Sequence, residues 1–186
     1  MKSSGKILVT ALSALLMGCD TTGPLIGFTY RTTFPGTSIS HEALDLGGQF
    51  GDDVLSVNFG KVIHVERNSG PNPAGRWGRG VYGRFLVIQH ADGMRSLYDH
   101  LDTISVEVDQ EVRRGQKIGT IGLTGVRGPN ARDMPPSYPH VHLELSIGDG
   151  LIREDPQKHI VGCFDASHTY RASDYVYPVK CERSTK

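Results

Sequence analysis

From Leu25 to Ile147 the apolar residues come in short or alternating runs, separated by Gly, Pro, Asn and Asp. Side chains two apart share a face in a strand and those three or four apart share one in a helix. No window of about 11 residues here keeps the helical repeat. The pattern predicts an all-β fold, an antiparallel and sandwich-like sheet with long surface loops. Strands are expected at Gly60 to Arg67, Arg84 to Gln89, Met94 to His100, Lys117 to Ile121 and His140 to Ile147. Ala91-Asp92-Gly93 predicts a tight hairpin between the second and third of these, because Asp-Gly supplies the positive φ such turns need. Residues 68–83 and 126–139, rich in Gly, Pro and Arg, read as long loops, either the rim of a binding groove or insertions of no consequence. No internal repeat is present, and after Pro156 the periodicity fades into an extension over 157–186.

The first residues carry an address rather than a fold. Lys2 and Lys6 precede an apolar run from Ile7 to Met17, which is shorter than the roughly 20 residues a bilayer-spanning helix needs. The run ends Leu16-Met17-Gly18-Cys19, which resembles a bacterial lipobox, so residues 1–18 are expected to be a signal peptide and Cys19 the lipidated residue. An ordinary secretory signal with an incidental cysteine is the alternative. The expected product is exported and anchored by lipid to a bacterial membrane, facing the periplasm or cell wall. Asp20 resembles an inner-membrane retention signal, and inner against outer membrane stays open. Residues 19–27 then form a linker, 28–156 one domain and 157–186 the extension. With 20 basic and 20 acidic residues, nothing marks a nucleic-acid-binding face. Of three cysteines, Cys163 and Cys181 remain after lipidation, and an exported chain invites a disulfide between them. That bridge would close a loop of roughly 19 residues and contribute about 3 kcal/mol.

Eight histidines are present, and their arrangement is more telling than their number. In His140-Val141-His142 a strand would project both imidazoles from one face, about 6.5 to 7 Å apart. A metal ligand beside a catalytic base needs that placement, and so does a pair of buried structural histidines. His41-Glu42-Ala43-Leu44-Asp45 offers nitrogen and carboxylate donors, both acceptable to zinc, ahead of Gly47 and Gly48. Two histidines and one aspartate would leave a fourth tetrahedral position free, as a catalytic zinc site requires. Tyr98-Asp99-His100-Leu101 is the third element. Glu144 shares the His140 and His142 face, either as an outer partner of a ligand or as a plain exposed carboxylate. No function is expected of His64, His90, His159 or His168.

Together these elements resemble the lysostaphin-type (LytM-like) zinc metalloendopeptidases over about Phe28 to Ile147. HEALD, Gly60-Lys61-Val62, LVIQHADGMRSLYDHL, VEVDQEVRRGQKIGTIGLTG and HVHLEL follow the order of that family's motifs, and Phe28-Thr29-Tyr30-Arg31 is similar to its lead-in. The resemblance implies Zn2+ held by His41, Asp45 and His142, with His100 and His140 as the catalytic histidines. It implies hydrolysis of the peptide crosslinks of bacterial peptidoglycan, a cell-wall hydrolase chemistry in which zinc acts as Lewis acid and a histidine handles protons. The His-Glu-x-x-His helix of other zinc peptidases is missing. Ala43 replaces a usual glycine, Asp99 replaces a usual small residue before His100, and the segment from Gly125 to His140 is longer than the family's. Some relatives of this type lack their ligands and regulate cell-wall amidases. A non-catalytic regulator or a peptidoglycan-binding lipoprotein is therefore the alternative.

Overall fold

A computed structural model of the chain describes residues 23–34, 36, 38, 40–67, 83–125 and 138–181. Cys19 and nearly all of both expected long loops lie outside the described residues. Strands β1 (Leu25–Ile26), β2 (Leu44–Gly47) and β3 (Asp53–Leu55) lead to β4 (Gly60–Glu66), which pairs with β5 (Arg84–Gln89). Asp92-Gly93, with Gly93 at φ 86°, turns β5 into β6 (Met94–Ile104). Then come β7 (Glu111–Val112), β8 (Lys117–Ile121), β9 (His140–Ile147) and β10 (Ile152–Glu154). The ten form one sheet in which every pair is antiparallel. Its order is β1-β2-β9-β6-β5-β4-β7, with β10 also on β9 and β3 joined through β8 to β6. The all-β antiparallel expectation holds, and the strand runs read from alternation lie where expected.

β6 outruns its expected end because it changes partners. Met94 to Asp99 pair with β9, whereas Leu101 to Ile104 pair with β8. The change falls at His100, a non-glycine residue at φ 64°. Such a backbone state is costly for an L-residue and needs local support. Asp99 supplies it: its buried carboxylate accepts from the His100 N–H at 2.6 Å and the Gly83 N–H at 3.1 Å.

Strand alternation also divides core from site. Val141, Leu143 and Leu145 carry one face of β9 into a core with Leu44, Leu46, Leu86, Ile88, Leu101 and Ile121. His140, His142 and Glu144 necessarily take the other face.

The segment after β10 holds β11 (Ile160–Gly162) and β12 (Tyr175–Val176), a small parallel pair. Its sequence lost periodicity because contacts other than a long ladder fasten it. Tyr175 and Val179 enter the main core, the Val176 N–H donates to Val57 O at 3.0 Å, and the Leu55 N–H donates to Pro178 O at 2.7 Å. The Arg114 guanidinium donates to the carbonyls of Asp174 and Arg171, and Cys163 is disulfide-bonded to Cys181. Tyr175→Ala should therefore destabilise the whole protein, by about 3–5 kcal/mol as large-to-small aromatic truncations do. Urea unfolding measures it; a loss under about 1 kcal/mol, within the range of surface substitutions, would make the segment peripheral.

Candidate metal centre

Register builds the site. Asp45 on β2 lies opposite His142 on β9, and His142 opposite Asp99 on β6. One step along, His140 faces Gly47 on one side and bridges Gly122 on the other, so no side chain crowds its ring from either neighbour. His41 reaches the same place from the loop before β2, where its backbone N–H donates to Thr32 O at 2.8 Å.

Three donor atoms meet there. His41 Nε2 lies 3.0 Å from Asp45 Oδ1, His142 Nδ1 lies 2.9 Å from that oxygen, and the two nitrogens are 3.2 Å apart. A tetrahedral zinc with bonds of about 2.1 Å spaces its ligands by roughly 3.4 Å, so the set needs little adjustment to take one. The outward nitrogens fit the same use. His41 Nδ1 donates to Thr29 O at 3.2 Å, and His142 Nε2 faces Glu144 Oε1 at 3.5 Å. With an acceptor on the outside, each ring can keep its proton there and give up the one on the inner nitrogen, whose lone pair a metal requires.

His100 and His140 are set in the same way. His100 Nδ1 donates to Thr124 O at 2.8 Å and His140 Nδ1 to Tyr138 O at 2.7 Å. Their Nε2 atoms are left for the site, that of His140 being 3.8 Å from Asp45 Oδ2. The two rings stand 4.9 Å apart, and His100 is 5.7 Å from His142. His41 and Asp45 are buried, whereas His100, His140 and His142 keep partial exposure and open the cluster to the surface.

The field of the site sorts the protons. Burial raises the Asp45 pKa, but the hydrogen bonds from His142 and His41 outweigh it and hold the carboxyl well below its usual range. Burial lowers the His142 pKa, but Asp45 and Glu144 outweigh it and push the imidazole up to about 10. Two carboxylates around one imidazole thus favour a cation at this point. Burial, then the charge of His142, holds His100 down to about 4, and burial also lowers His140. Both shifts favour the neutral imidazole, the form that can accept a proton.

Every residue expected at the site from the sequence is brought into this cluster. Glu144 is not an exposed edge carboxylate: it is buried, and its Oε2 pairs with Arg153 Nη1 at 2.6 Å. Glu144→Gln should weaken zinc binding about 10–100-fold, the usual cost of losing an outer partner of a ligating histidine. Competition with a chromophoric chelator reads that loss, and an unchanged affinity would reduce Glu144 to packing. The remaining histidines stand apart from the cluster. His64 stacks on Phe85, His90 joins Phe59 O to Ser96 Oγ, His159 faces Glu154 and His168 packs on Tyr170. Sequence reasoning missed the outer acceptors Thr29, Thr124 and Tyr138, all of which act through backbone carbonyls.

Comparison with known proteins gives one family and one fold. The family model described as Peptidase family M23 matches residues 39–154. The murein hydrolase activator NlpD of Escherichia coli (strain K12) is 36% identical over 93 residues, covering 50% of this chain and 22% of that protein. The peptidoglycan DD-endopeptidase ShyB of Vibrio cholerae is 32% identical over 124 residues, covering 65% of this chain and 24% of that one. The chain thus spans less than a quarter of either curated relative. A zinc-containing peptidase from Vibrio cholerae superposes with a TM-score of 0.55 at 28% identity, over 72% of this chain and 36% of that one. The catalytic domain of lysostaphin from Staphylococcus simulans shares the fold, with a TM-score of 0.56 at 24% identity over 73% of this chain and 90% of that one.

Proposed function

The chain belongs to peptidase family M23, and on that premise we propose that it is a zinc-dependent endopeptidase that hydrolyses the peptide crosslinks of bacterial peptidoglycan. The observation that carries this reading is the convergence of His41 Nε2, Asp45 Oδ1 and His142 Nδ1 within 3.2 Å of one another, beside the paired His100 and His140 rings. His41, Asp45 and His142 are the ligands. A zinc ion held by them supplies Lewis acidity, polarising the scissile carbonyl and acidifying water. With three protein donors the set fits a catalytic centre rather than a four-ligand structural staple.

The chain's own residues do the proton work. His100 and His140 each have Nδ1 committed to a carbonyl, so Nε2 is the working atom on both rings. Between them they take the proton of the attacking water and return one to the leaving amine. The strands carrying this chemistry lie within the expected domain, residues 28–156, with β1 (Leu25–Ile26) and the core residues Tyr175 and Val179 packing onto it from either end of the chain. A signal peptide over 1–18, a lipid on Cys19 and the linker expected at 19–27, whose residues 25–27 are taken up by the sheet, would hold it to a bacterial membrane facing its substrate.

A second reading, a regulator of other cell-wall hydrolases, is favoured by the likeness to the murein hydrolase activator. The intact five-residue set supports the enzyme, since a scaffold needs no aligned proton acceptors. Crosslinked peptidoglycan fragments incubated with residues 20–186 should be cut, with cleavage lost on chelation and restored by zinc. Product masses identify the bond. No cleavage by the folded, zinc-loaded protein would overturn the enzyme reading in favour of the regulator.

A further inference from the structure

Tyr138 lies just ahead of β9, and the contacts of its side chain are as specific as those of its carbonyl. Its ring rests against the His140 imidazole with centroids 4.9 Å apart, while its carbonyl takes the His140 Nδ1 proton. Its hydroxyl oxygen enters the sheet face at Gly27, where a Cβ would lie 1.7 Å from that oxygen and 3.4 Å from the Asp45 Cβ. The Gly27 N–H donates to the Asp45 backbone O at 2.9 Å, so the socket lies beside the backbone and Cβ of the expected carboxylate ligand. Only a residue without a side chain at position 27 leaves room for the hydroxyl.

Within this socket the hydroxyl is shut off from solvent and has no hydrogen-bond partner among the described residues. A buried hydroxyl left unpaired is unfavourable, and native proteins rarely keep one without a use. A tyrosine hydroxyl carries a proton that it can donate. Asp45 Oδ1 has both His41 Nε2 and His142 Nδ1 as neighbours. An imidazole that ligates a metal through a nitrogen offers a lone pair there and has no proton to give. When a cation is held, the carboxylate therefore loses its histidine donors, and a replacement stands ready at Gly27.

We propose that Tyr138 is a positioning residue of the metal centre: its ring and carbonyl set the His140 imidazole, and its hydroxyl is the donor that steadies the Asp45 carboxylate when metal is bound. The proposal rests on the metal-centre reading above, and its test separates the two. Zinc affinity is measured by chelator competition, and thermal unfolding with and without zinc, on the mature chain and on Tyr138→Phe. The variant should bind zinc about tenfold more weakly, the lower end of the cost of an outer partner. Its metal-free form should melt no lower than wild type, because only an unpaired hydroxyl was removed. Gly27→Ala, which leaves Tyr138 in the chain but fills its socket, should show the same loss of zinc affinity. Wild type that binds no zinc would overturn the metal-centre reading and this proposal with it. Tight wild-type binding matched by Tyr138→Phe would overturn the Tyr138 assignment alone, as would a metal-free variant that melts lower.

Discussion

Asp45→Ala is expected to abolish stoichiometric zinc binding and with it hydrolysis of crosslinked peptides. Asp45 Oδ1 is the atom shared by both histidine donors, at 3.0 Å from His41 Nε2 and 2.9 Å from His142 Nδ1. Without it two imidazoles remain as protein donors, and the centre loses the buried negative charge that offsets bringing a dication out of water. The loss in affinity should exceed the roughly 100-fold upper cost of removing an outer partner, because on the proposed reading a ligand itself is gone. His41→Ala and His142→Ala should behave alike. Metal content after dialysis and chelator competition measure the effect, and thermal unfolding of the metal-free proteins separates lost ligation from lost fold. Full zinc occupancy in Asp45→Ala would remove Asp45 from the ligand set.

The physical origin of each feature decides how much of this was legible from residues alone. The strand runs at Gly60, Arg84, Met94, Lys117 and His140 were readable because burial of one sheet face imposes a period of two. For the same reason His140 and His142 had to share a face, although nothing local said which one ligates. His41 and Asp45 come from a loop and from the start of β2's ladder, so their convergence on His142 depends on pairing across about a hundred residues; resemblance, not spacing, supplied it. The aim of His100 depends on a positive φ and on the Asp99 carboxylate supporting it, and Asp99 had read only as a departure from family habit. Thr29, Thr124 and Tyr138 were invisible as acceptors because every residue owns a carbonyl. Glu144 read equally as buried or exposed until Arg153, brought alongside by the β9–β10 pairing, partnered it. The segment after Pro156 joins the core by single anchors such as Tyr175, which leave no period to detect.

Replacing the two remaining histidines should separate chemistry from metal binding. His140→Ala is expected to keep zinc within a few-fold of wild type and to lower kcat by about 10²–10⁴, the usual contribution of a positioned general acid or base. His100 needs a more careful substitution, because its backbone sits at φ 64°, where alanine adds strain of its own. Asparagine tolerates that region, so His100→Asn removes the imidazole while keeping the turn of β6 between β9 and β8. The same kcat loss is expected there with zinc retained. Steady-state cleavage of a crosslinked peptide, paired with metal analysis on the same samples, gives both numbers. Turnover within tenfold of wild type in either zinc-loaded variant would break the assignment of that histidine. The pair also weighs the two functional readings, since a regulator that works by docking has no use for a proton acceptor: its activation of a partner hydrolase should survive both substitutions, whereas an enzyme's own cleavage should not.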